Sequence, residues 1–218
     1  MQTQRIYAFD YLKGFIVFLV VAHHSAFAYT TFAKYNFTNY LYSTAPIVDS
    51  TRSIYLDFFQ EFNDTFFMSL MFFIAGIFSW PSLIRKGWLR YLNDRFLRLG
   101  IPFFCGVLFI TPLAEYFSFI ATGNLGSYWF FWFNVYFQNQ WIPGPPWFLW
   151  VLLMFSIFLI LVRYSSPSLL PSLSAIVERA VNTPIQALFF FALIAFVVYL
   201  IPYLIIPRGN YNSWISLA

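Results

Sequence analysis

His23 and His24 stand side by side in an apolar run from about Tyr11 to Phe32, long enough to span a bilayer. Ionisable side chains at that depth cost roughly several kcal/mol and are kept mostly where they act. An uncharged imidazole near mid-membrane can take a proton, which is the chemistry of a general base. For His24 two readings stand: that base, or a ring inside the bundle bonded to a neighbouring carbonyl or hydroxyl. At about 100° per residue, Lys13 lies roughly 20° from His24 on the helical wheel and Asp10 within about 40°, whereas His23 turns away by about 100°. Asp10, Lys13 and His24 thus form one polar stripe, and His23 reads as a packing or supporting group. Lys13 and His24 are about 16 Å apart along the axis, so they serve different parts of one long ligand or unrelated partners. Lys13 either snorkels to the inner boundary or joins such a site.

A second constellation runs from Ser82 to Pro102 and carries Arg85, Lys86, Arg90, Asp94, Arg95 and Arg98. Arg95 and Arg98 are three apart, hence neighbours on an α-helix, and paired guanidiniums suit phosphate oxygens. The alternative is ordinary cytoplasmic charge with an Asp94 to Arg98 helix pair.

The elements that must carry these groups are membrane helices. Of 218 residues, 61% are hydrophobic and only 9% charged, with 31 Phe, 15 Tyr and 8 Trp. Mean hydropathy is +0.69. A soluble domain carries roughly a quarter charged residues, so too little charge is present to solvate a surface. Five apolar runs predict an all-α polytopic bundle: Tyr11 to Phe32, Thr65 to Ile84, Leu99 to Ile120, Trp147 to Tyr164 and Pro184 to Ile206. The aromatic stretch Tyr128 to Gln138 is too short to cross and reads as interfacial or re-entrant. With a cytoplasmic N-terminus, inner segments hold Arg5, Lys13, Arg85, Lys86, Arg90, Arg95, Arg98, Arg163 and Arg179, against Lys34, Arg52 and Arg208 outside. That bias follows the positive-inside rule and explains the basic pI without nucleic acid. Asp10 in the would-be basic region, and histidines just before Ala26-Phe27-Ala28, argue for an uncleaved first helix rather than a signal peptide. A lone Cys105 excludes an intrachain disulfide, and the sequence shows no metal-spaced cluster, Gly-rich phosphate loop or nucleophile elbow.

Four pieces in order resemble the acyltransferase-3 family of bacterial membrane proteins. They are Asp10-Tyr-Leu-Lys13-Gly through His24, Phe72-Phe73-Ile-Ala-Gly76, Arg95-Phe-Leu-Arg98 with Pro102, and Gly144-Pro-Pro-Trp147-Phe148-Leu149. The long outer loop and the last motif are most similar to the branch with glucan-modifying succinyltransferases. The resemblance, over about Arg5 to Leu161, implies transfer of an acetyl or succinyl group from cytoplasmic acyl-CoA to a hydroxyl of an extracytoplasmic glycan, in the bacterial inner membrane. Carried over, the family's helix-one histidine falls on His24 and its arginine pair on Arg95 and Arg98. Where the family commonly has arginine, this chain has Lys13, which keeps the charge and loses the bidentate fork. The family usually has about twice as many spans, so residues 1–218 are expected to form one membrane domain, incomplete at the C-terminus.

Glu115 near the outer end of the third span either reaches the interface or helps position the acceptor sugar. Trp147 either stacks on that sugar or belongs to an aromatic belt. The competing class is a transporter or a non-catalytic membrane subunit using His24 as proton relay or packing group; the broken helices and paired repeats of many transporters are not evident.

Overall fold

The computed structural model describes residues 7–38, 43–139 and 144–181, with 183, 185, 186, 189–194, 196 and 197. Every regular element among them is helical. They form α1 (Tyr7–Ala26), α2 (Ile54–Asp64), α3 (Phe67–Lys86), α4 (Trp88–Ala121), α5 (Trp147–Ser165) and α6 (Leu169–Ala180), with the aromatic segment 128–139 between α4 and α5. The chain divides into two compact units, Met1–Met154 and Phe155–Ala218, the boundary falling within α5. Among the described residues four helical stretches are long and apolar enough to cross a membrane: Tyr7–Tyr29, Ile54–Lys86, Trp88–Ala121 and Trp147–Ser165. The expected fifth span, Pro184 to Ile206, lies largely outside the described residues.

In the first unit, α1 packs on α3. The buried residues of α1, Ile16, Leu19, His23 and Ala26, recur at three- and four-residue spacing and so form one stripe. Ile16 meets Phe67 and Ile74 of α3 in a core that Phe9, Leu12, Val20, Leu70 and Met71 complete. α3 ends at Gly87, whose φ of +74° and ψ of 164° lie in a region open essentially to glycine. One residue thereby reverses the chain and starts α4.

α4 begins about eleven residues before the expected third span, because the basic stretch 88–98 continues the helix. Arginine and leucine are good helix formers, and long basic side chains can reach the boundary. Two π turns, Phe96–Gly100 and Gly106–Ile110, interrupt it. Each lies just before a proline, Pro102 or Pro112, which lacks an N–H and crowds the carbonyl four residues back. The Leu108 carbonyl, whose α-helical donor would be Pro112, accepts instead from Trp132 Nε1 at 2.8 Å. The Val107 carbonyl accepts from the Tyr136 hydroxyl at 2.8 Å. The aromatic segment is therefore fastened to α4 by the acceptors that the proline exposes. Gly106 permits a further close approach, since a Cβ there would lie 2.6 Å from Pro146 Cγ.

The chain beyond α1 is tied down at the C-terminal end of that helix. Arg52 Nη1 donates to the Ala28 and Thr30 carbonyls at 3.1 Å each, and the Asp49 and Ser53 N–H groups donate to Ala28 and Tyr29. These donors satisfy carbonyls that a helix end leaves unpaired. Tyr35 donates to the Ser118 carbonyl at 2.6 Å, and Ser118 Oγ donates to the Pro46 carbonyl at 2.6 Å. Burial raises the Tyr35 phenol above its ordinary value, while hydrogen bonds from Thr51 hold the Asp49 carboxyl below its usual range. Trp132→Phe should lower stability by about 1–3 kcal/mol, because the Leu108 carbonyl is stranded. Trp129→Phe, at an exposed ring, should stay within about 0.5 kcal/mol. Thermal unfolding of both variants in detergent checks the pair; equal effects would show that the hydrogen bond is immaterial.

Candidate functional site

A cavity of about 300 Å³ opens between α1, α3, α4 and the first turns of α5. Its walls are apolar, from Ile16, Val17, Met71, Ile74, Ala75, Phe78, Phe148 and Leu152, and its two charged residues are Lys13 and Arg95. Each cation is held from behind. Lys13 Nζ lies 4.3 Å from the Phe78 ring centroid, a cation–π contact. Arg95 donates from Nη2 to Ser79 Oγ at 2.9 Å, and its guanidinium carbon lies 5.0 Å from the Tyr91 ring centroid. Ser79 in turn donates to the Ala75 carbonyl at 2.6 Å, so its hydroxyl uses both capacities. Ser79 and Arg95 are equally far from Gly87 along the chain, and the reversal there brings them opposite each other. Tyr91 is 1% exposed, and its hydroxyl has no hydrogen-bond partner among the described residues. Among the described residues that line this apolar cleft there are two cations and no carboxylate, an arrangement that can hold an anion, and the walls suit an acyl or alkyl chain.

The structure brings Lys13 and Arg95 to this one cavity. Arg98 is exposed and outside the lining. The expectation that Arg95 and Arg98 share a face assumed an unbroken α-helix. A π turn starts at Phe96, and with its wider ring of hydrogen bonds three residues no longer return a side chain to the same side. Asp94 forms a direct ion pair with Lys86 at the end of α3, and Arg98 and Arg90 also act on it electrostatically. His24 is in α1 with Lys13, but on its exposed side and outside the cavity lining; His23 belongs to the buried stripe. Glu115 is half-buried on α4. Trp147 is half-buried against Phe72, ring centroids 6.4 Å apart, beside Phe148, which lines the cavity.

Sequence reasoning passed over Ser79 and Tyr91. A lone serine in an apolar span reads as packing, and a tyrosine between basic residues as interfacial; the equal spacing of Ser79 and Arg95 from Gly87 bears on the serine only once the reversal at Gly87 is known. Asp64 and Gln60, which reach back to His23, were also missed, because acidic residues carry little weight in topology.

The described residues thus form a helical membrane bundle with a cleft lined by two cations and apolar side chains. A family profile described as an acyltransferase domain matches residues 6–217. The chain belongs to that family, the acyltransferase-3 family of membrane proteins. It is also similar to the nodulation protein NolL of Sinorhizobium fredii (strain NBRC 101917 / NGR234), 27% identical over 141 residues. That match takes in 60% of this chain and 34% of the relative, so the chain matches about a third of that protein's length. No solved structure matches the chain.

Tyr91→Phe removes a buried hydroxyl that has no partner among the described residues while keeping the ring behind Arg95. Thermal unfolding should show stability unchanged or raised by up to about 1 kcal/mol. A loss above about 1 kcal/mol would mean that the hydroxyl has a partner.

Proposed function

We propose that this chain belongs to a membrane enzyme that moves an acetyl or succinyl group from cytoplasmic acyl-CoA to a hydroxyl of an extracytoplasmic glycan, in a bacterial inner membrane with the N-terminus inside. The observation that carries the reading is the convergence of Lys13 and Arg95 on one apolar cavity. Phosphate oxygens of the donor meet the two cations, and the pantetheine arm and acyl group follow the walls toward the outer half of α1. Arg98, exposed on the same inner stretch of α4, adds positive potential that draws the anionic donor to the mouth. At His24, about 16 Å along the helix from Lys13, the acceptor hydroxyl gives up its proton to the imidazole. Its oxygen attacks the thioester carbonyl, the C–S bond breaks, and the thiolate leaves and is protonated. Glu115 and Trp147 act on the acceptor side by hydrogen bonding and stacking on the sugar.

Thermal protection of the full-length protein by acyl-CoA tests the donor half of this scheme. Saturation at about 100 times Kd should add about 2.7 kcal/mol. Lys13→Ala and Arg95→Ala should each raise the half-protective concentration at least about tenfold, the loss of one charge-assisted contact. His24→Ala should keep the protection and lose about 10²- to 10⁴-fold in glycan acylation. No protection of the native protein would instead favour a transporter or a non-catalytic subunit, and retained acylation would remove His24 from the chemistry.

A further inference from the structure

A separate polar cluster lies at the outer end of α1. His23 is 5% exposed and wedged against Phe67 of α3 and Phe27, with ring centroids 5.0 and 5.9 Å away. Its Nε2 lies 3.6 Å from a carboxylate oxygen of Asp64, the last residue of α2. That distance is ion-pair range and beyond a hydrogen bond. His23 Nδ1 has no hydrogen-bond partner among the described residues, where Asp64 is the group that biases which nitrogen carries the proton. α2 grips the same residue through its backbone, Gln60 Nε2 donating to the His23 carbonyl at 2.6 Å. Beyond this clamp, the ring of His23 meets that of His24 edge-on, with centroids 5.5 Å apart and planes at 87°.

The charges around the pair are few. Asp64 from α2 acts electrostatically on both imidazoles, and α3 presents the uncharged Phe67. Arg52 and Asp57 are engaged at the end of α1, with the Ala28 and Thr30 carbonyls and with Thr31. An imidazole and two carboxamides buried in an apolar wall are costly for stability alone, more so because Gln60 Oε1 and Asn63 Nδ2 also lack partners among the described residues. A burden of that kind fits a functional constraint better than packing.

We propose that Asp64 and His23 are positioning residues for His24, an inference that rests on His24 being the base. Asp64 fixes the orientation of the His23 ring. The edge of His23 then limits the rotamers open to His24, whose other side is exposed. As the acceptor O–H bond breaks and the proton moves to His24, the new O–acyl bond forms and the thioester C–S bond breaks. Asp64 offsets the positive charge His24 gains, and the proton ends on the released thiol.

Glycan acylation by the full-length enzyme in membranes tests this. Asp64→Asn and His23→Asn should each lower kcat about tenfold, with the KM for acyl-CoA and its thermal protection unchanged. Asp64→Glu should recover most of the rate, and the Asp64→Asn/His23→Asn double variant should be no slower than His23→Asn, because the two act as a unit. Wild-type kcat in Asp64→Asn, or single effects that multiply in the double variant, would overturn the proposal. If His23→Asn does not accumulate, the comparison decides between charge and structure: Asp64→Asn slow with Asp64→Glu active supports the proposal, and both equally slow overturns it. Failure of the parent reading is distinguishable, since it shows as acylation retained in His24→Ala.

Discussion

The contact of Ile16 with Phe67 and Ile74 is the interaction on which the rest of the first unit depends. It sets α1 against α3 over a short, fully buried patch. Every polar group of interest on α1 is placed by it. One turn toward the N-terminus, Lys13 comes over Phe78; two turns the other way, His23 comes against Phe67. In a bilayer this packing has no hydrophobic drive of the usual kind, since lipid tails are as apolar as the side chains. Close van der Waals fit and the few polar contacts must hold it, which explains why α2 adds a hydrogen bond to the His23 carbonyl.

Proline sets a second constraint. Pro102 and Pro112 interrupt the hydrogen-bond ladder of α4, and the chain answers with two π turns. One turn leads Arg98 away from the cavity while Arg95, just before it, stays against Ser79. The other exposes the Val107 and Leu108 carbonyls, to which Trp132 and Tyr136 attach the aromatic segment. The same kind of backbone fault, repeated at two places in α4, thus lies between the two arginines in one case and anchors a neighbouring element in the other.

Much of the fold was legible in the sequence. Hydropathy located the four described spans to within several residues except at two starts. The second begins at Ile54, because α2, with its polar Asp57, Gln60, Glu61, Asn63 and Asp64, precedes α3. The other is the early start of α4, where charge was read as the end of the helix although arginine and leucine prolong one. The aromatic stretch stood out by composition, but its attachment did not, because it depends on a tertiary hydrogen bond to a carbonyl left open by a distant proline. At the site, Lys13 and Arg95 were legible as cations near the ends of apolar spans. Ser79 was not, since its role follows from a one-residue reversal at Gly87 that no periodicity encodes. Helical-wheel geometry separated His23 from His24 correctly by angle; which of them faces α3 depended on the register of α1, and the structure puts His23 there.

The claim at the centre of this account is that the cavity between Lys13 and Arg95 holds the donor. Labelling by a charged maleimide of a cysteine introduced at the lining position Ala75, in the full-length protein with Cys105→Ser to remove the exposed native thiol, measures this directly. Acyl-CoA should slow labelling of the Ala75→Cys protein in a saturable way, and the protection should vanish when Arg95→Ala is added. Labelling that proceeds at the same rate with and without saturating acyl-CoA would place the donor elsewhere and contradict the account.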